Sequence, residues 1–127
     1  VNLSVPIIQI DPADRRQAAE FLRLPSMLYR DIPQWVPPLR LEARRMLDPR
    51  KNPFFAHSQA AFLLARSPAG DVQGRLAVLD NRRYNEYNRE RTAFFYLFEC
   101  VNDRKTARDL FDAGFSCSRS QPGVSAP

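Results

Sequence analysis

Thr92-Ala-Phe-Phe-Tyr-Leu-Phe-Glu-Cys100, followed by Val101-Asn-Asp-Arg-Lys-Thr-Ala107, is the stretch on which the fold turns. Residues 92–100 are apolar on both faces, which predicts a central strand covered on both sides. Asp103 then caps a helix in which Ala107, Leu110 and Phe111 share one face. Upstream, residues 57–66 and 72–80 are apolar runs joined by Ser67-Pro-Ala-Gly-Asp71, whose Pro and Gly predict a hairpin turn. Residues 81–91 form a polar connection to the third strand.

Further toward the start, residues 4–10 alternate apolar and polar side chains, as a short edge strand does. Asp11 is a helix N-cap with Pro12 at the first helical position and Asp14 in the first turn. The stripe Ala18, Phe21 and Leu22 predicts a helix that stops where Leu24 meets Pro25. A short helical piece at residues 26–29 follows. Asp31-Ile-Pro-Gln-Trp-Val-Pro-Pro38 is held extended by its prolines, with Trp35 and Val36 as plugs into the core. Leu39, Ala43, Met46 and Leu47 mark another helix, ended by Asp48-Pro49. The predicted order is strand, two or three helices, three strands, helix: an α+β order over residues 1–113. From Gly114 the pattern collapses into a Ser-, Pro- and Gly-rich stretch, so residues 114–127 are expected to be an irregular, disordered tail.

The chain has 127 residues, 44% apolar and 26% charged, enough for one folded domain. Its longest strictly apolar run, residues 93–98, is far short of the roughly 20 needed to span a bilayer, so no membrane partner is expected. No basic-then-apolar leader opens the sequence and the cysteines show no framework, so a cytoplasmic location is the expectation. The net charge is +5, and seventeen of the nineteen cations are Arg. Guanidinium groups suit phosphates and other anions. A GC-rich coding sequence gives the same excess without any anionic partner. Cys100, Cys117 and the single His57 have no metal-ligand spacing, so no metal is expected.

Trp35-Val-Pro-Pro38, Asn52-Pro-Phe-Phe55 with His57, Gly74-Arg75, Asn85-Glu-Tyr87, and Phe94-Phe95 through Phe98-Glu99 occur in this order. Together, over about residues 6–113, they resemble an uncharacterised branch of the bacterial GNAT-like N-acetyltransferases. The resemblance implies the N-terminal half of a GNAT-like domain, a truncated form in which later strands are missing. It implies acetyl-CoA, or another acyl-CoA, lying beside the strand that ends Phe98-Glu99-Cys100 and the helix that starts at Asp103. The acyl group would pass to an amine, of a small molecule or of a protein, and this chain alone would be inactive. The stretch from Cys100 to Ala107 has no glycine, whereas the superfamily cradles pyrophosphate on a Gly-rich turn. Tyr84-Asn-Glu-Tyr-Asn88 stands where the branch carries His-Asn-Glu-Tyr-His, and Ala93 and Tyr96 replace glycines. A reading-frame change near Gly114 would explain the tail, and the gene sequence decides that point.

Within this frame Glu99 is the candidate catalytic base. The alternative is a strand-end carboxylate paired with an Arg. Phe98, Cys100, Asn102, Arg104 and Lys105 are the candidate cofactor-binding residues. Tyr29, Trp35, Asn85 and Tyr87 are the candidate acceptor-binding residues, with core plugging as the plain alternative for Tyr29 and Trp35. His57 reads as a turn residue, and Cys100 as a structural thiol that lacks an activating base. A second function class stays open: a non-enzymatic basic interaction module for nucleic acid or an acidic protein. It would use Arg82, Arg83, Arg89 and Arg91, interleaved with Tyr84 and Tyr87. Glu86 and Glu90 dilute that patch and disfavour nucleic acid.

Overall fold

The computed structural model describes residues 6–34, 36, 40–56 and 58–120, with the side chains of 40–42, 119 and 120 left aside. Strands β1 (Ile7–Ile10), β2 (Ser58–Arg66), β3 (Val72–Asn81) and β4 (Phe94–Cys100) form one antiparallel sheet in chain order. Helices α1 (Arg15–Leu28) and α2 (Arg40–Leu47) follow β1, and a 3-10 turn, Pro53–Ala56, leads into β2. Helix α3 (Arg82–Asn88) joins β3 to β4, and α4 (Arg104–Ser120) follows β4.

Alternation along the strands sorts the core into two layers. On one face Ile10, Phe62, Leu64 and Ala77 meet Ala18 and Phe21 of α1 and Leu47 of α2. On the other, Leu63, Ala65, Leu76 and Val78 meet Leu110 of α4. β2 and β3 are therefore buried on both faces, which is why they read as near-continuous apolar runs. The architecture is the α+β arrangement expected from the sequence.

Several local expectations are corrected. The N-cap of α1 is Asp14, whose carboxylate accepts from Arg16 N and Gln17 N; Asp11 instead closes the preceding turn, accepting from Ala13 N at 2.9 Å. α1 does not stop at Leu24 but runs through a buried Pro25 to Leu28 as one helix. The polar connection contains α3, capped by the Asn81 side chain and ended by Arg89 at φ 55°. β4 is half-buried at the edge of the described sheet rather than central. Its two apolar faces have different causes: Phe95, Phe98 and Cys100 face α4, while Tyr96 and Leu97 pack toward α1. Val36 is 80% exposed, so it is no plug.

The helix α4 also overturns the expected boundary at Gly114, because it continues to Ser120. The face turned to the sheet is Thr106, Leu110, Gly114 and Ser118, spaced by four and all buried. Three of those four are small or polar, so a search for large apolar residues loses the stripe after Phe111. Gly114 is required by close approach: a Cβ there would stand 2.9 Å from Leu76 Cδ2. Ser118 satisfies its buried hydroxyl by donating to the Phe115 carbonyl at 2.8 Å. Residues 121–127 of the expected tail lie outside the described residues.

Candidate functional site

Between Arg75 and Ala77, β3 spends one residue, Leu76, where β4 spends two, Leu97 and Phe98. This is a β-bulge, and Leu97 takes φ 56°, a left-handed conformation that is strained for a branched residue. What holds it is Arg75, which is only 7% exposed. Its Nε donates to the Leu97 carbonyl at 3.0 Å and its Nη1 donates to the Phe21 carbonyl at 2.9 Å. The guanidinium also lies 5.0 Å from the centre of the Phe21 ring, within cation–π range. Phe21 O is the carbonyl that residue 25 would bond in a regular helix, and Pro25 has no N–H to give. One buried cation thus ties the proline-broken turn of α1 to the bulge of β4.

Glu99 pairs in register with Arg75 and shares its face of the sheet. Tyr29, at the C-terminal cap of α1, donates its hydroxyl to Glu99 Oε2 in a short hydrogen bond. That bond, then burial and the Glu99 charge, hold the Tyr29 phenol above its ordinary pKa, while Arg75 pulls the other way. Tyr29 therefore stays protonated at neutral pH. Burial lowers the Arg75 pKa, opposed by Glu99 and Tyr29. The bulge, Arg75, Glu99 and Tyr29 form one cluster at the end of the sheet where β4 meets α4.

The beginning of α4 lies at this same end. Asp103 accepts from Thr106 N at 3.3 Å and from the Thr106 hydroxyl at 2.5 Å, and these bonds lower its pKa. Its carboxylate thus occupies the position an anion would take at this helix start. Gly74 lets α4 and β4 close together: a Cβ there would meet Leu110 Cδ1 at 2.6 Å and Glu99 O at 3.2 Å.

No protein-family model matches the sequence. Over 102 residues, 80% of the chain, it is 32% identical to Protein YghO of Escherichia coli strain K12, of which it covers 25%. Over 78 residues, 61% of the chain, it is 34% identical to the Bacterial ceramide synthase of Caulobacter vibrioides, of which it covers 19%. The chain thus spans a quarter or less of the length of these curated relatives. Among solved structures it superposes on a tandem GNAT protein from the clavulanic acid biosynthesis pathway, without AcCoA. The TM-score is 0.68 at 18% identity, over 91% of this chain and 33% of that one. The fold is GNAT-like.

On the GNAT-like frame the expected site residues divide. Glu99 and Tyr29 come together, although they are 70 positions apart in sequence. Phe98 stacks at 4.7 Å on Phe111, and Asn102, Arg104 and Lys105 are exposed around the start of α4. Cys100 is half-buried, and burial, with Asp103 adding charge, pushes its thiol up, so it is poorly suited to act as a nucleophile. Asn85 and Tyr87 sit on α3, at the opposite end of β4, about 20 Å of strand away. Asn85 is buried and committed within the fold: it donates to Asp80 Oδ1 and Thr92 O and accepts from Thr92 N, each at 3.1 Å. Tyr87 is 88% exposed. Trp35 and His57 lie outside the described residues. Sequence reading missed Arg75 as the residue that ties α1 to the bulge of β4. The available signal was a lone arginine inside an apolar strand, where an unpaired cation is costly. Among the described residues no group of three or more His, Cys, Asp or Glu is placed to hold a metal, and no helix is long and apolar enough to cross a membrane.

Proposed function

We propose that this chain is the carbonyl-polarising part of an N-acyltransferase that moves an acyl group from an acyl-CoA, acetyl-CoA in the simplest case, to an amine. The observation that carries the reading is the Leu97 bulge, fixed by Arg75 beside the Tyr29–Glu99 pair. A bulge takes a residue out of the ladder. Since Arg75 already satisfies the Leu97 carbonyl, the backbone N–H groups at this edge are the ones left to meet a thioester oxygen. The amine nitrogen bonds to the acyl carbon, the carbon–sulfur bond breaks with its electron pair going to sulfur, the proton lost from nitrogen passes to Glu99, and the departing thiolate takes a proton from solvent. Tyr29 holds the Glu99 carboxylate in place. Ceramide, the product named for one relative, is an N-acylated amino alcohol, which agrees with an amine acceptor.

The other end of the donor fits less well. α4 offers no glycine turn and its first N–H groups face Asp103, so a diphosphate gains only the charge of Arg104 and Lys105. Binding is therefore expected to be weak, and turnover to need the longer protein that the relatives represent. Isothermal titration of the chain with acetyl-CoA tests the reading. Binding at about 1 mM or tighter, worth about 4 kcal/mol, supports it. Absence of binding at that level, with tight association to a single-stranded oligonucleotide or an acidic protein, would favour the interaction module instead.

A further inference from the structure

At the end of α1 remote from Tyr29, a concavity of about 210 Å³ is bordered by five cations and one carboxylate. Arg15 comes from the first turn of α1, Arg44 and Arg45 from the last turn of α2, and Asp48, Arg50 and Lys51 from the turn that follows. The 14 residues of α1 put this cleft about 20 Å from the Glu99 cluster. Its volume is below the roughly 300 Å³ of pockets that enclose drug-sized ligands, and so suits a compact group.

Among the described residues the carboxylates nearby are already engaged. Asp48 accepts from Arg50 N, Nε and Nη2 at 2.9, 3.1 and 3.2 Å. Asp11 accepts from Ala13 N, and Asp14 from Arg16 N and Gln17 N. Among the described residues Arg15, Arg44, Arg45 and Lys51 enter no ion pair. Arg44 and Arg45 gain from the C-terminal end of the α2 dipole, but Arg15 stands at the positive end of α1, where a cation is disfavoured. Among the described residues no internal pairing accounts for bringing Arg15, Arg44, Arg45 and Lys51 from three segments to one cleft.

We propose that this cleft binds a soluble small molecule carrying adjacent phosphate groups. Guanidinium forks from two helices match phosphate oxygens bidentately, and the volume of the concavity matches a diphosphate-sized group. The site is separate from the acyl-transfer cluster, so it stands or falls independently of the proposed activity.

The test titrates the whole chain with inorganic pyrophosphate, by calorimetry, in wild type and two double variants. R44A/R45A removes two cleft cations, and R82A/R83A removes the same charge from exposed positions on α3; circular dichroism checks that both remain folded. The expected result is binding at about 1 mM or tighter that R44A/R45A weakens about tenfold and R82A/R83A less than about twofold. Equal weakening by the two variants would overturn the proposal in favour of diffuse charge, and so would no binding at that level. Phosphatidylglycerol vesicles and single-stranded DNA are run in parallel. Binding to either that depends on Arg44 and Arg45, without pyrophosphate binding, would also overturn it and assign the cleft to a lipid or nucleic-acid surface.

Discussion

Arg75 supplies the hydrogen-bond donor that Pro25 withholds from the Phe21 carbonyl, and the same guanidinium holds the Leu97 carbonyl at the bulge of β4. The helix irregularity and the strand irregularity are thereby one feature. A proline inside a helix leaves an acceptor without its partner, and a bulge leaves another. A single buried arginine satisfies both, and its hydrogen bonds offset the cost of burying its charge.

The coupling between these residues is measurable. Arg75→Met is expected to cost about 2–4 kcal/mol in urea denaturation, since the buried Phe21 carbonyl and the half-buried Leu97 carbonyl lose their donor. In a Pro25→Ala background the backbone regains an N–H at that position, which can serve Phe21 O. The same Arg75→Met change should then cost about 1 kcal/mol less. Strict additivity of the two changes would show that the guanidinium does not stand in for the missing N–H.

The strands were legible because their burial is simple: the runs around Phe62, Leu64, Leu76 and Val78 face α-helices on both sides and carry no ambiguity of period. Pro25 was misread because local rules treat proline as a stop, and its rescue comes from Arg75, far along the chain on β3. Gly114 and Ser118 were misread because close packing here selects small residues, which composition cannot separate from a loose tail. At the site, Glu99 was visible as a carboxylate closing an apolar strand. Its partner Tyr29 and its neighbour Arg75 are joined to it only by the register of β3 against β4 and by the length of α1.

The end of α4 offers a direct check. Ser118 is fully buried against the sheet, so Ser118→Arg forces a charge into a packed layer and is expected to cost about 3 kcal/mol or more. Ser116→Arg, at an exposed position on the same helix, should change stability by less than about 0.5 kcal/mol. Equal tolerance of both would mean that α4 leaves the sheet after Leu110.

Asn85 separates a structural from a ligand-binding role. Asn85→Ala removes three hydrogen bonds that join α3, β3 and the segment leading into β4, and is expected to cost about 2–3 kcal/mol. Affinity for acetyl-CoA, measured where the variant is still folded, should stay within about twofold of wild type. A large affinity loss with unchanged stability would return Asn85 to the ligand site.

The Tyr29–Glu99 bond fixes a pH dependence. The folded-state pKa of Tyr29 is raised above the ordinary 10.0, so the stabilisation from this bond is complete below pH 10 and is lost as pH rises through the folded value. A titration of phenolate absorbance should show two late tyrosines, Tyr29 and Tyr96, the second raised by burial alone. Glu99→Gln should bring one of them back toward the ordinary value and leave the other, and Tyr29→Phe should delete the one that moved. If Glu99→Gln leaves both late, the hydrogen bond is not what raises Tyr29.

Asp103 decides whether α4 can receive the diphosphate of an acyl donor. Its carboxylate satisfies the Thr106 N–H and places a negative charge at the positive end of the helix, in competition with any bound phosphate. Asp103→Ser keeps a capping oxygen while removing the charge, so the helix remains closed at its start. The expected outcome is a lower melting temperature and acetyl-CoA binding about two- to fivefold tighter, the span that helix-end charge effects produce. Tightening by Asp103→Ser, with no change from Asp112→Ser farther along α4, would locate the donor's phosphates at this helix start. If acetyl-CoA binds the wild-type chain and neither change alters its affinity, the phosphates sit elsewhere, and the Leu97 edge of β4 alone carries the contact with the donor.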